Sequence, residues 1–138
     1  MGPHVGKPDL SGTWAINRAR CRLEIAMPDS TVFIIEHREP RFHLERTHVV
    51  GETRDEFQID LTTDGRVTHS THGGMHIESR AFWDGDVLVF DSLVTVGGEK
   101  GTNVVRYEIA DGGKSLIARE RVEFQSQSHS NLWVFDRQ

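Results

Sequence analysis

The sequence predicts an all-β chain, a single antiparallel up-and-down β-barrel of about eight to ten strands. Three observations carry this reading. Short runs rich in β-branched and aromatic residues recur from residue 31 to residue 136. Turn dipeptides such as Asp64-Gly65, Gly73-Gly74 and Gly97-Gly98 separate them, at the spacing of roughly 8–12 residues expected of sandwiches and barrels. Finally, no stretch alternates strand with helix in the manner of a parallel α/β sheet. Short hairpins between successive strands favour an up-and-down barrel over a sandwich with long Greek-key crossovers. At 138 residues the chain suits one domain, divided here into a flexible N-terminal lead-in over 1–8 and a barrel over 9–138.

In order along the chain, residues 1–8 hold two prolines and two glycines and read as a lead-in. Residues 13–17 give a short strand, and 18–29 a less regular stretch with room for one helical turn before Pro28. Thr31-Val-Phe-Ile-Ile-Glu-His37 is strand-like, and Glu39-Pro40 separates it from the run over 41–50. Gly51-Glu52 turns the chain into 53–62, and Asp64-Gly65, a favoured hairpin dipeptide, turns it into 66–72. Strands over 75–83, 86–96, 102–110, 115–125 and 129–136 follow, each entered through a glycine-containing or polar turn.

Composition narrows the function. The formal charge of −5 and the interspersion of basic with acidic residues give no basic field for a phosphate backbone, so nucleic acid is not expected as a partner. Eight histidines would carry the formal charge from −5 to +3 if all were protonated. Cys21 is the single cysteine, which rules out an intrachain disulfide and a cysteine-based metal cluster. No run reaches the roughly 18 apolar residues of a membrane-spanning helix, so no membrane insertion is expected. As it stands, the N-terminus fits a cytoplasmic protein; were a leader removed, it would fit an exported one. Monomer and homodimer both remain open.

Strand alternation sorts side chains into inward and outward rows. Phe42, Leu44, Arg46, His48 and Val50 share a row, which sends Arg46 and His48 inward. Leu116, Ala118, Glu120, Val122 and Phe124 place Glu120 inside, and Asn103, Val105, Tyr107 and Ile109 do the same for Tyr107. Phe33 and Ile35 carry His37 with them, and Phe57, Ile59 and Leu61 put Asp55 at the rim. An otherwise apolar interior therefore holds His37, Arg46, His48, Tyr107 and Glu120. An unpaired buried charge costs several kcal/mol, so these groups are expected to find mates, Glu120 with Arg46 or a histidine first among them.

Leu10-Ser-Gly-Thr-Trp14 with Asn17, Thr62-Thr-Asp-Gly65, Ala81-Phe-Trp-Asp-Gly-Asp-Val-Leu-Val89, Asp111-Gly-Gly-Lys-Ser-Leu116 and Leu132-Trp-Val-Phe-Asp136 together resemble the small bacterial lipocalin-like proteins of the calycin superfamily. The resemblance runs from Asp9 to Asp136. It implies that Trp14 packs across a closed end, with an arginine of a late strand, Arg119 or Arg121, stacked on it.

The leading expectation is binding of a small, largely hydrophobic molecule in the barrel cavity, with Phe33, His37, Phe42, Arg46, Phe57, Tyr107 and Trp133 as ligand-binding residues. The alternative is a cofactor-free acid–base enzyme of isomerase, lyase, cyclase or hydrolase type using His48 and Glu120, since burial tunes such groups toward neutral pH. No nucleophile elbow, phosphate loop or dinucleotide fingerprint is present. Haem or metal held by histidine is a second alternative. His69, His72 and His76 cluster around Gly73-Gly74 but lack a third or fourth ligand at a recognisable spacing, so no cofactor and no metal site are assigned.

Overall fold

The structure is a computed structural model and describes residues 6–138; residues 1–5 of the proposed lead-in lie outside the described residues. Eleven strands follow one another: β1 (Gly12–Ile16), β2 (Arg22–Leu23), β3 (Ser30–Arg38), β4 (Arg41–Val50), β5 (Thr53–Thr62), β6 (Thr68–His72), β7 (Met75–Asp84), β8 (Val87–Val96), β9 (Glu99–Ala110), β10 (Ser115–Glu123) and β11 (Ser128–Arg137). They form one antiparallel sheet in the order β5-β4-β3-β1-β11-β10-β9-β8-β7-β6, rolled into a nearly closed barrel. The two-residue β2 continues the line of β1 along β11: Ile16 pairs with Phe135, and Arg22 and Leu23 with Leu132 and Asn131. Between β1 and β2 lies the expected helical turn, a 3-10 turn over Arg18–Arg20 whose Asn17 side chain accepts from the Arg20 N–H.

The alternation read from the sequence sets the pairing. In β3 every second residue from Thr31 to His37 is buried, and in β10 Leu116, Ala118 and Val122 are buried while Arg119, Arg121 and Glu123 are exposed. Gly73-Gly74 is a tight two-residue hairpin turn; both residues have positive φ, 52° and 79°, a combination that favours glycine.

One expected hairpin is absent. Asp64-Gly65 does not join paired strands, because β5 and β6 are the two edges of the sheet. Asp64 Oδ1 instead accepts from the Thr62 hydroxyl and the Arg66 N–H, and Gly65 N–H bonds to Ala81 O at 2.8 Å. The side chain thus folds the backbone locally, as Asx turns do, and the chain is carried across the seam.

The two ends of the barrel differ. At the end that carries the 39–40, 64–65 and 85–86 turns, the fully buried Trp14 and Leu10 plug the interior. Trp14 Nε1 donates to Leu10 O at 3.0 Å. The arginine over its ring is Arg137, 4.2 Å from the centroid, and not Arg119 or Arg121. Trp14 pairs directly with Arg137 across β1 and β11, whereas Arg119 and Arg121 occupy the outward row of β10, where they pair with Glu108 and Glu123. Arg137 also donates to Ser11 O and Gly113 O, each at 2.8 Å. Replacing Arg137 with alanine is therefore expected to cost about 1–2 kcal/mol in denaturant unfolding. Arg119→Ala should change stability by less than about 0.5 kcal/mol, as surface ion pairs do; equal effects of the two would contradict this assignment.

Candidate functional site

Above the plug the interior is not filled. A cavity of about 190 Å3 lies toward the opposite end, the one carrying the 51–52, 73–74 and 97–98 turns. Its wall is mainly apolar and aromatic, with Phe33, Phe57, Phe90, Tyr107, Trp133 and Phe135 around it. Phe33 stacks on Phe135 at 4.4 Å between centroids, and Phe90 meets Tyr107 edge-on at 5.0 Å, so this wall is a packed aromatic sheet and not a set of separate rings.

The polar groups fall into two sets. Near the rim, Arg46 donates to Asp55 at 3.2 Å and lies over the Phe57 ring, and Asp55 is also bonded by His72 Nε2 at 2.9 Å. This chain runs from β4 through β5 to the last residue of β6, so it closes with side chains the seam that backbone bonds leave open. Burial raises the Asp55 pKa, but the His72 and Arg46 contacts outweigh it and hold the carboxyl below its ordinary value.

Deeper in, Glu120 accepts from Trp133 Nε1 at 2.9 Å, Asn131 Nδ2 at 3.0 Å and Asn103 Nδ2 at 3.1 Å. The expected Glu120–Arg46 ion pair does not form: Arg46 reaches Asp55, and neutral donors from the flanking strands β9 and β11 solvate Glu120. Tyr107 lies beneath; burial and then the Glu120 charge raise its pKa, so it stays a phenol.

His48 shares a 2.6 Å hydrogen bond with the Thr31 hydroxyl and lies against Trp133, with 5.8 Å between ring centroids. Burial and then the Arg46 charge push its pKa down to about 4. The unfolded chain, with an imidazole near 6.5, binds this proton more readily than the folded one. Stability is thus fully present above about pH 6.5 and declines as pH falls from there toward 4. His43, raised by its Asp60 partner, acts in the opposite sense and above that window. Thermal midpoints of His48→Gln should accordingly vary less with pH between 6.5 and 4.5 than those of the wild type. Parallel profiles would show that His48 is not the group responsible.

Of the seven residues expected to bind ligand, Phe33, Arg46, Phe57, Tyr107 and Trp133 line the cavity, as do His48 and Glu120. His37 and Phe42 do not: they belong to the plug. His37 is buried, receives the Leu10 N–H on Nδ1 at 3.1 Å and bonds Glu39 through Nε2 at 2.9 Å. Glu39 also accepts from the Thr63 hydroxyl and the Trp83 indole. Phe42 packs between His37 and Phe90. The inward assignment of both holds, but alternation fixes only the face and not the height along the barrel.

Asn103 shares the inward row of Tyr107, as its alternation implies, whereas Thr31, His72 and Asn131 are interior residues that the sequence reading does not name. Thr31 continues the row of Phe33 and Ile35, and Asn131 that of Trp133 and Phe135, so the same alternation marks them. His72 carries no such mark, because its place depends on the seam. Of the three histidines around Gly73-Gly74, it turns inward to Asp55, while His69 and His76 stay on the outer face. There they meet Glu78, with one potential ligand atom from each within 4.8 Å of the others. Among the described residues, these three side chains, two exposed and one half-buried, form the group that could hold a metal ion.

No protein-family model matches the sequence, and no curated protein matches it. Solved structures do match the fold. An abundant heat soluble (SAHS) protein from Ramazzottius varieornatus is similar at 13% identity with a TM-score of 0.67, over 94% of this chain and 95% of that one. The REP1-NXSQ fatty acid transporter is similar at 10% identity and a TM-score of 0.60, over 94% and 96% of the two chains. Zebrafish ileal bile acid-binding protein complexed with cholic acid is similar at 14% identity and a TM-score of 0.55, over 93% and 98%. At these identities the likeness is one of fold: the chain rolls into the same kind of nearly closed antiparallel β-barrel as these proteins.

Proposed function

We propose that the protein binds a small, largely apolar molecule in the barrel cavity. The observation that carries this reading is the void itself, about 190 Å3 with a mainly aromatic wall and a few fixed polar groups. Protein interiors are normally packed to crystal density, and voids of this size are rare unless something occupies them. The similar structures of a fatty acid transporter and a bile acid-binding protein support it. An apolar cavity of about 150 Å3 accepts benzene, so the size favours a guest of one or two rings and disfavours a macrocycle such as haem. In this reading Phe33, Phe57 and Trp133 hold the apolar body, Arg46, Tyr107 and Glu120 are the polar groups that orient it, and His37 and Phe42 support the floor.

An acid–base enzyme is the second reading, favoured by the contact of Trp133 with both His48 and Glu120. Against it, an imidazole held near 4 is a weak general base at pH 7. Titration with compact aromatic probes, followed by tryptophan fluorescence or calorimetry, tests the first reading; saturable binding by one molecule per chain is expected. Turnover of any such probe that vanishes in His48→Ala and Glu120→Gln, with binding retained, would favour the second.

A further inference from the structure

Resting on the cavity-binding reading, we propose that the guest is a compact organic cation, an amine carried on an aryl or short alkyl body, with its ammonium group held by Glu120.

The charges in and around the cavity cancel everywhere except at Glu120. Arg46 is committed to Asp55 and to the face of Phe57, and Asp55 takes His72 as well. Glu120 has no such mate: among the described residues it forms no ion pair, and its three donors, Asn103, Asn131 and Trp133, are all neutral. Neutral donors solvate a carboxylate and fix its position, but they leave its charge in place. The wall of this apolar cavity therefore carries one uncompensated negative group, in a setting where electrostatic attraction is stronger than in water.

Glu120 also has capacity to spare. A carboxylate offers about four acceptor positions. Oε1 uses two, for Asn131 and Trp133, whereas Oε2 uses one, for Asn103. The Asn103 amide cannot be turned round, because its oxygen would then face Oε2. In the orientation that serves Glu120, Asn103 Oδ1 is buried without a partner, so a second unneutralised acceptor adds to the negative potential of the same corner. What the corner lacks is a donor, preferably a charged one.

The surrounding surface suits a cation as well. Trp133, Tyr107 and Phe33 all line this cavity, and aromatic faces attract ammonium groups, by more when water is excluded. An acid would fare worse. Beside Glu120 it would place two negative charges together, and beside Arg46 it would compete with Asp55. Arg46 Nε does keep one unused donor, which suits a neutral acceptor on the far end of the guest better than a second carboxylate.

The test uses three probes that share a body and differ in head group: 2-phenylethylamine, 2-phenylethanol and 3-phenylpropanoate. Each is titrated into the full chain at pH 7 by calorimetry. The amine is expected to bind at least about tenfold more tightly than the alcohol, and the acid at least about tenfold more weakly. Glu120→Gln should bring the amine to within about threefold of the alcohol, and a thermal midpoint close to that of the wild type reports that the barrel is intact. If the alcohol binds but the amine is not preferred, or if Glu120→Gln leaves the ranking as it was, the cation proposal is overturned and the cavity reading stands. If none of the three binds, it is the cavity reading that fails, and the proposal with it.

Discussion

Trp14→Ala is expected to lower the free energy of unfolding by about 3–5 kcal/mol, the range for truncating a fully buried large aromatic residue. For a domain of this size that corresponds to a drop in Tm of roughly 10 °C or more. The expectation rests on how much the indole does at once. It is wholly buried at the closed end, it donates to Leu10 O, and it is the surface on which Arg137 lies. Phe33 is its direct neighbour across the sheet on β3, and Arg137 on β11. Alanine would therefore leave a hole, an unpaired carbonyl and an arginine without its ring. Trp14→Phe, which keeps most of the apolar volume but not the indole N–H, should fall between. Chemical denaturation of the three proteins measures this. A loss below about 1 kcal/mol for Trp14→Ala would mean that the end can collapse around the gap and that Trp14 is not the plug.

The second large effect concerns binding. Val105→Trp should weaken binding of any compact apolar probe by about 100-fold or more, with a stability change below about 3 kcal/mol, the usual ceiling for overpacking. Val105 lies on β9 between Phe90 of β8 and Glu120 of β10, and its side chain lines the cavity while remaining only partly buried. A larger side chain there has space to enter, and that space is the one proposed for the guest. Thermal melting and probe titration on the same sample separate the two effects. Unchanged affinity in a folded variant would place the guest elsewhere and remove the main support for the proposed function.

The partition of side chains in β4 and β10 shows how far alternation carries. Arg46, His48 and Glu120 were legible as inward residues because each interrupts an apolar row with period two. The choice of mates was not legible. Arg46 sits opposite Phe57 in the register of β4 and β5, and two residues further along β5 is Asp55, within reach; Glu120 is flanked by Val105 and Asn131 and meets amides and an indole instead. Sequence distance says nothing of this, since mates are set by which strands adjoin and in what register. The same holds for the arginine on Trp14, which the closing of β11 onto β1 supplied from the last residues of the chain.

Asp64-Gly65 gives the complementary case. As a local signal it was sound, because Asp64 does fold the backbone around its own side chain. It did not make a hairpin because the seam of the barrel falls there, and the position of a seam depends on how the whole sheet rolls. His72 follows the same logic: it reads as one of three histidines at a turn until the seam brings Asp55 beside it.

By itself, then, the sequence determined the all-β class, most of the strands and the inward rows of several of them, because periodicity and turn chemistry act over a few neighbouring residues; the two-residue β2, one of the eleven strands, carries no such pattern. Only the tertiary structure decided the height of each residue along the barrel axis, the partner of each charge, the seam and the volume left empty. Those depend on contacts between strands far apart in the chain, and no local pattern encodes a void.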